Sequence, residues 1–179
     1  MSAGVNIRIA RLVRMISLCM FGVMMFISQL FMEFLPNIHP VAMFIILLTV
    51  VYRKQALISI YIYVFLEGFF GGFNIWWVPY LYIWTLLWGA AMLLPKNMSV
   101  RVKAIVYPIL AALSGITFGA LYAPVYALLT DMTFEQTLVW IGMGASFDII
   151  HAIGNAIMGL LVLPLEIALR RIEAKYKRT

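Results

Sequence analysis

Residues 38–70 read IHPVAMFIILLTVVYRKQALISIYIYVFLEGFF, and the pair Arg53-Lys54 divides this apolar stretch into two segments of roughly 15 residues each. A helix needs about 20 apolar residues to cross a bilayer, so each segment is short for a span. One span followed by a re-entrant loop is the alternative, but it would place eight later cations outside the cell. We therefore predict two short helices, 38–52 and 55–70, joined by a tight cytoplasmic turn.

The composition of the whole chain indicates a lipid environment. Hydrophobic residues make up 65% of the 179 residues, charged residues 11%, and the mean hydropathy is +1.01. A soluble domain has about 45–50% apolar and about 25% charged residues. The net charge of +6 would suggest nucleic acid in a soluble protein, but here we attribute it to membrane topology and expect no nucleic-acid partner.

The cations of the whole chain follow one pattern. They lie in four clusters, in every second gap between apolar segments: Arg8, Arg11 and Arg14; Arg53 and Lys54; Lys96, Arg101 and Lys103; and Arg170, Arg171, Lys175, Lys177 and Arg178. The other gaps carry only the acidic residues Glu33, Glu67, Asp131 and Glu135. Positive loops stay in the cytoplasm, so we predict one all-α domain with six crossings and both termini inside. The predicted spans are 12–34, 38–52, 55–70, 75–94, 104–128 and 137–165.

The last predicted span contains polar residues that lipid does not explain. In FDIIHAIGN, residues 147–155, the side chains of Asp148, His151 and Asn155 fall on one helical stripe. Ionisable groups inside a span usually face a cavity or a partner, which makes this stripe a candidate binding wall. An Asp148–His151 pair that only fixes helix packing is the alternative.

A second candidate wall lies at the end of the third span and the start of the fourth. Trp77, Tyr80 and Trp84 recur at helical spacing and could stack on a flat ligand. Glu67 and Asn74 could bond its polar edge. The alternatives are interfacial anchoring or plain packing for the aromatic residues, and a solvated headgroup position for Glu67.

The first outer loop and the fifth span carry weaker signals. Asn37 and His39 lie between two prolines in a loop, where ligand contacts and ordinary loop hydrogen bonds are both reasonable. Small residues repeat every fourth position in the fifth span, which predicts close helix packing in lipid. These small residues are Ala111, Gly115, Gly119 and Ala123.

Two of these motifs resemble a known family. LPNIHPV (residues 35–41) and FDIIHAIGN (residues 147–155) are similar to elements of the substrate-binding S-component of energy-coupling factor (ECF) vitamin transporters. The resemblance covers nearly the whole chain. It implies capture of a vitamin or related micronutrient at the outer face, and docking in trans on a coupling transmembrane subunit driven by two ATPases.

We therefore expect a multi-pass protein of the cell membrane that binds a small, vitamin-like or heteroaromatic nutrient, with no cofactor and no metal. Thiamine-like compounds or their pyrimidine precursor fit this pattern, and corrinoids and flavins stay open. An enzyme is not expected, since the sequence contains no GxxxxGK[ST], HExxH or GxSxG motif. The alternatives are a proton-coupled secondary transporter, with Asp148 and His151 as relay, and a non-catalytic structural membrane subunit.

Overall fold

The computed structural model describes residues 2–35 and 37–176, and all regular secondary structure within these ranges is helical. The predicted all-α fold is therefore confirmed. The α-helices of this described part are α1 (Ser2–Phe31), α2 (Val41–Tyr52), α3 (Ala56–Gly71), α4 (Tyr80–Leu93), α5 (Val100–Ile116), α6 (Phe118–Leu129), α7 (Phe134–Gly159) and α8 (Val162–Tyr176). Short 3-10 turns, Arg53–Gln55 and Ile75–Trp77, precede α3 and α4.

Four helical stretches of the described residues are long and apolar enough to cross a membrane. They are Arg11–Phe31, Val41–Gly71, Val100–Leu129 and Phe134–Gly159. The chain is thus an all-α protein with the helices of a membrane protein. The second stretch contains α2 and α3, and the third contains α5 and α6, so the path of the chain depends on the breaks inside them.

The break between α2 and α3 lies at Arg53, where the sequence predicts a turn. Arg53 has a φ of 56°, a left-handed value that is strained for a residue with a side chain. Contacts on both sides hold it there: its guanidinium donates to the carbonyl of Met92 at 2.6 Å, and its own carbonyl accepts from Trp88 Nε1 at 3.2 Å. The turn therefore depends on α4, which supplies both partners.

Contacts with α4 also give the direction of α2. The ring centroid of Trp84, near the middle of α4, lies 6.4 Å from that of His39, just before α2. Trp88 and Met92, later in α4, contact Arg53 at the end of α2. The two helices therefore run in the same direction.

Helix α3 runs the opposite way. Trp77, before α4, donates to the carbonyl of Val64, in the middle of α3, whereas Thr85 within α4 contacts the earlier Tyr61 at 2.8 Å. Since α4 is parallel to α2 and antiparallel to α3, the apolar stretch 41–71 is a helical hairpin. Its first helix is the most buried one, with ten of its 12 residues buried, so α2 is covered by other helices along most of its length.

Helix α1 packs parallel to α3. Ser59, near the start of α3, donates to the carbonyl of Leu18 at 2.6 Å, and Tyr63, one turn later, donates to Gln29 Oε1 at 2.6 Å. A Cβ atom at Gly22 would lie 2.7 Å from the Ser59 carbonyl oxygen. Glycine at this position therefore permits the close approach of the two helices.

The small residues of the fifth predicted span face α7, as expected. Ala111, Gly115, Gly119 and Ala123 are all buried. A Cβ atom at Gly115 would lie 2.6 Å from the backbone nitrogen of Ala152 in α7. Close backbone approach thus joins α5, α6 and α7 into one antiparallel unit.

A charged network closes the end of the bundle where the cations gather. Glu166 of α8 is 1% exposed and accepts hydrogen bonds from Lys103 at 2.8 Å, Tyr107 at 2.7 Å and Arg170 at 2.7 Å. Burial acts to raise the pKa of Glu166, but these three donors outweigh it and lower the pKa below its ordinary value. Arg170 also donates to the carbonyl of Val50 at 2.7 Å, which ties α8 to α2.

The helix ends differ from several limits of the predicted spans, because local capping sets where each helix begins and ends. Proline residues precede α2 and α4, so these helices begin at Val41 and Tyr80 rather than at 38 and 75. Ser99 and Thr133 cap α5 and α7, which therefore begin before the predicted 104 and 137. The first predicted span, 12–34, corresponds to a helix that ends at Phe31. The predicted spans 104–128 and 137–165 are each divided, at Thr117 and after Gly159.

Candidate functional site

The candidate site is built around Trp84, a fully enclosed side chain of α4. Its exposed fraction is 2%, and aromatic rings from three other segments surround it. Ring centroids lie 6.0 Å away for Tyr63, 5.6 Å for Tyr80, 5.7 Å for Phe118 and 6.4 Å for His39. Aromatic pairs at these separations attract one another and exclude water.

His151 of α7 completes this set. Its ring centroid lies 5.0 Å from that of His39 and 5.1 Å from that of Phe118. We call the six rings the ring cluster: His39, Tyr63, Tyr80, Trp84, Phe118 and His151. They come from the loop before α2, from α3 and α4, from the start of α6 and from α7. The cluster thus joins helices that are distant in the sequence, as a binding site between helices would.

Polar atoms of the ring cluster and its neighbour Asn155 are buried without a hydrogen-bond partner. They are His39 Nδ1, Trp84 Nε1, His151 Nε2 and Asn155 Oδ1. Most buried polar groups in folded proteins are satisfied, and an unsatisfied one costs about 1–3 kcal/mol. These four atoms therefore give the region unused hydrogen-bonding capacity, which makes it the candidate site.

The orientation of the Asn155 amide follows from its neighbour. Ser114 donates its hydroxyl hydrogen to the carbonyl of Ala111 at 2.7 Å, so its oxygen can only accept from Asn155. The Asn155 Nδ2 atom lies 3.3 Å from that oxygen and is the donor. The unpartnered atom of Asn155 is therefore its carbonyl oxygen, which can accept but not donate.

Asp148 has a structural partner, and it does not bond to His151. Both of its carboxylate oxygens accept from the backbone N–H of Gly119, at 3.1 and 3.2 Å. The backbone N–H of Gly119 needs such an acceptor because the helix breaks at Thr117, and the first N–H groups of α6 therefore lack partners within the helix. A side chain on Gly119 would collide with the carboxylate. The alternative of an Asp148–His151 packing pair is thus not found: Asp148 caps the start of α6, and His151 Nε2 has no hydrogen-bond partner.

Trp77 and Asn74 are also explained by local structure. The Trp77 indole donates to the carbonyl of Val64 at 2.7 Å and packs over Gly68 of α3. Asn74 is exposed and its Oδ1 accepts from the N–H of Ile75 at 2.6 Å, which starts the 3-10 turn. The expectation that Trp77 shares a helical face with Tyr80 and Trp84 was wrong, because α4 begins only at Tyr80.

Asn37 and Glu67 lie near the ring cluster without joining it. Asn37 has a φ of 59° and its side chain reaches the carbonyl of Phe147 at 3.5 Å, a long hydrogen bond. Glu67 is half-buried near the end of α3 and within electrostatic reach of Tyr80. The two residues flank the site from different sides, and both remain candidates for contact with a ligand.

Two residues of the site were not predicted. Phe118 contacts Trp84, Tyr80 and His151, and Ser114 orients Asn155. Both occupy the fifth predicted span, where the repeated small residues were interpreted only as a sign of close helix packing. Their spacing of four residues within one predicted span was the available signal, but aromatic and hydroxyl residues are too common in spans for it to stand out.

No protein-family model, curated protein or solved structure matches this chain. The functional assignment therefore depends on the residues of the site and on their geometry. Of the ten predicted site residues, His39, Tyr80, Trp84 and His151 meet at the ring cluster, and Asn155 lies one turn after His151 in α7. Asp148, Trp77 and Asn74 are occupied by backbone groups, and Asn37 and Glu67 lie at the periphery.

Proposed function

We propose that this chain is the substrate-capture subunit of an ATP-driven ECF-type importer and binds a small vitamin-like or heteroaromatic nutrient from outside the cell. The observation that carries the proposal is the ring cluster, in which three aromatic side chains and Asn155 each bury an unpartnered polar atom. Aromatic walls with a few convergent polar atoms are typical of sites for flat organic ligands.

The proposed topology has six crossings, with both termini in the cytoplasm and the cell membrane as the location. Support comes from the reversal of direction at Arg53 and from the alternation of cationic and acidic loops. The first supports separate crossings for α2 and α3, and the second supports a cytoplasmic position for the Glu166 network. The ring cluster would then lie in the outer half of the membrane, on the side from which an external nutrient arrives.

The proposed partners are a coupling transmembrane subunit and a pair of ATPases acting in trans. Support comes from the resemblance of residues 35–41 and 147–155 to S-components, and from the absence of a phosphate-binding GxxxxGK[ST] motif in the sequence. A chain without its own nucleotide site needs another source of energy to accumulate a nutrient. The proton-relay alternative loses weight because Asp148 bonds to Gly119 and not to His151.

Mass spectrometry of the protein purified in detergent tests the proposal. Wild-type protein expressed in cells grown in rich medium should retain a small molecule, which a solvent extract would release. Trp84→Phe keeps a ring but removes the unpartnered indole N–H, so it should lose this compound. Trp88→Phe makes the same change on the same helix, where the N–H bonds to Arg53, and should retain it.

Two results would contradict parts of this proposal. If wild-type protein carries no small molecule and binds none of the vitamins supplied to it, the capture function is wrong. Equal retention by Trp84→Phe and wild type would instead move the binding site away from the ring cluster.

A further inference from the structure

A groove between α1 and α8 lies at the end of the bundle where the cations gather. Its volume is about 250 Å³, and none of the ring-cluster residues lines it. Most of its wall consists of apolar side chains from the two helices: Val13, Met20, Phe21, Met24, Leu169 and Ile172. From Val13 to Met24 it follows α1 for roughly 16 Å, since each helical residue rises about 1.5 Å. The α1–α8 groove is therefore an elongated, apolar cavity beside a helix that is apolar enough to cross a membrane.

A polar recess adjoins this groove. The recess has a volume of about 260 Å³ and shares Arg14, Tyr52 and Glu173 with the groove. Gln55 and Arg170 also line the recess. The apolar groove thus continues into a cavity whose wall contains two arginines and a side-chain amide.

Arg14 has hydrogen-bonding capacity that the protein does not use. Its Nη2 atom bonds to Glu173 Oε2 at 2.9 Å, whereas its Nε atom is buried and has no hydrogen-bond partner among the described residues. A guanidinium group is always charged, and its adjacent N–H donors bind two oxygens of a phosphate or carboxylate group together. Glu173 is itself shared, because it also accepts from Tyr52 at 3.1 Å. The unused edge of Arg14 therefore suits an anionic acceptor from outside the chain.

The ion pairs around the recess leave an excess of positive charge. Arg14 pairs with Glu173, and Arg170 and Lys103 both pair with Glu166. These pairs join three cations to two carboxylates. A single anionic group bound in the recess would balance this charge.

A phospholipid matches the order in which the recess and the groove follow one another. Arg14 lies close to the beginning of the apolar stretch Arg11–Phe31, and Met24 lies well inside it. The recess would therefore be at the membrane interface, where phosphate groups lie, and the groove would be in the hydrocarbon region. A partner helix is about 10–12 Å across with its side chains, which is wide for a cavity of about 250 Å³. A free phosphate ion would leave the apolar groove unfilled.

We propose that the α1–α8 groove and the recess bind one anionic phospholipid. An acyl chain occupies the groove, and the phosphate group accepts from Arg14 Nε, with Gln55 and Arg170 beside the headgroup. In the proposed topology this lipid belongs to the cytoplasmic leaflet. It fills the space between α1 and α8 and so supports the packing of the first helix against the last. The proposal is independent of the capture function, because it uses no residue of the ring cluster.

Native mass spectrometry of delipidated protein in detergent tests the proposal. The probes are phosphatidylglycerol and phosphatidylcholine with the same acyl chains. Phosphatidylglycerol should bind about tenfold more tightly, because only its headgroup has a net negative charge. Inorganic phosphate carries the charge without acyl chains and should not displace the lipid.

Three variants test the charged part of the site. Arg14→Gln should abolish the preference for phosphatidylglycerol. Arg101→Gln removes an exposed cation in the first turn of α5, outside the recess, and should retain it. Glu173→Gln removes a negative charge beside the proposed phosphate position and should strengthen phosphatidylglycerol binding, even though it removes the ion pair with Arg14.

A matched pair of methionine variants tests the apolar part. Met20→Trp places a large side chain in the groove and should weaken the binding of both lipids about tenfold. Met15→Trp makes the same change at an exposed position of α1 outside the groove and should leave binding unchanged.

The proposal is wrong if wild-type protein binds the two lipids equally well, or if Arg14→Gln keeps the preference for phosphatidylglycerol. Unchanged lipid binding in Met20→Trp would also overturn it and would leave the groove to another occupant, such as a partner helix. Displacement of the lipid by inorganic phosphate would reduce the recess to a site for small anions. Should Arg14→Gln fail to fold, the opposite effects expected for Glu173→Gln and Met20→Trp decide the question.

Discussion

The Glu166 network and the ring cluster both bury polar side chains, but they differ in whether the buried polar atoms have hydrogen-bond partners. Glu166 is 1% exposed and its carboxylate receives three donors, so the charge is fully compensated. Trp84 and His151 are 2% and 3% exposed, and each keeps a nitrogen without a partner. A satisfied network supports the fold, whereas unsatisfied atoms at similar burial reduce stability. Such a cost is expected where a site is kept ready for a ligand.

The first prediction tests whether the ring cluster and the Glu166 network lie towards opposite sides of the membrane. In a Cys19→Ser background, Glu135→Cys should react with a membrane-impermeant maleimide in intact cells, because it lies in the first turn of α7, next to the acidic outer loop. Lys96→Cys, in the cationic loop between α4 and α5, should react only after the cells are permeabilised. Both positions are exposed in the structure, so accessibility differs only through topology. The reverse labelling pattern would place the ring cluster in the cytoplasmic half and contradict capture from outside.

The hairpin of α2 and α3 shows how far the sequence was sufficient for the fold. Arg53-Lys54 marked the turn because a cation pair inside an apolar stretch must reach an interface. The left-handed backbone of Arg53 could not be predicted, because it depends on Met92 and Trp88 of α4. Local sequence thus located the turn, and a tertiary contact determined its geometry.

The site was predictable to a similar extent. Periodicity placed His151 and Asn155 on one stripe, and both side chains bury an atom without a hydrogen-bond partner. The same periodicity included Asp148, whose partner is a backbone N–H freed by the break at Thr117. A helical pattern indicates which side chains share a face, but it does not reveal what the neighbouring helix presents to each of them.

The second prediction removes the compensated charge. Glu166→Leu leaves Lys103, Tyr107 and Arg170 without their common acceptor, so we expect the free energy of unfolding to fall by about 3 kcal/mol. Glu166→Gln retains an acceptor of the same shape and should lose less. Thermal denaturation in detergent measures both changes. Wild-type stability in Glu166→Leu would mean that the network contributes little to the fold.

The third prediction replaces one polar ring by phenylalanine at each end of the bundle and compares the direction of the two changes in stability. His151→Phe removes an unpartnered nitrogen from the ring cluster, so the ligand-free protein should gain about 1 kcal/mol of stability while losing its ligand. Tyr107→Phe removes a hydroxyl that donates to Glu166 at 2.7 Å, so it should lose about 1–2 kcal/mol and keep the ligand. Thermal denaturation of ligand-free protein gives the stabilities, and mass spectrometry of solvent extracts gives ligand retention. If both variants lose stability and both retain the ligand, His151 is an ordinary packing residue. A nitrogen kept free for a ligand would be needed for binding, and its removal would not destabilise the ligand-free protein.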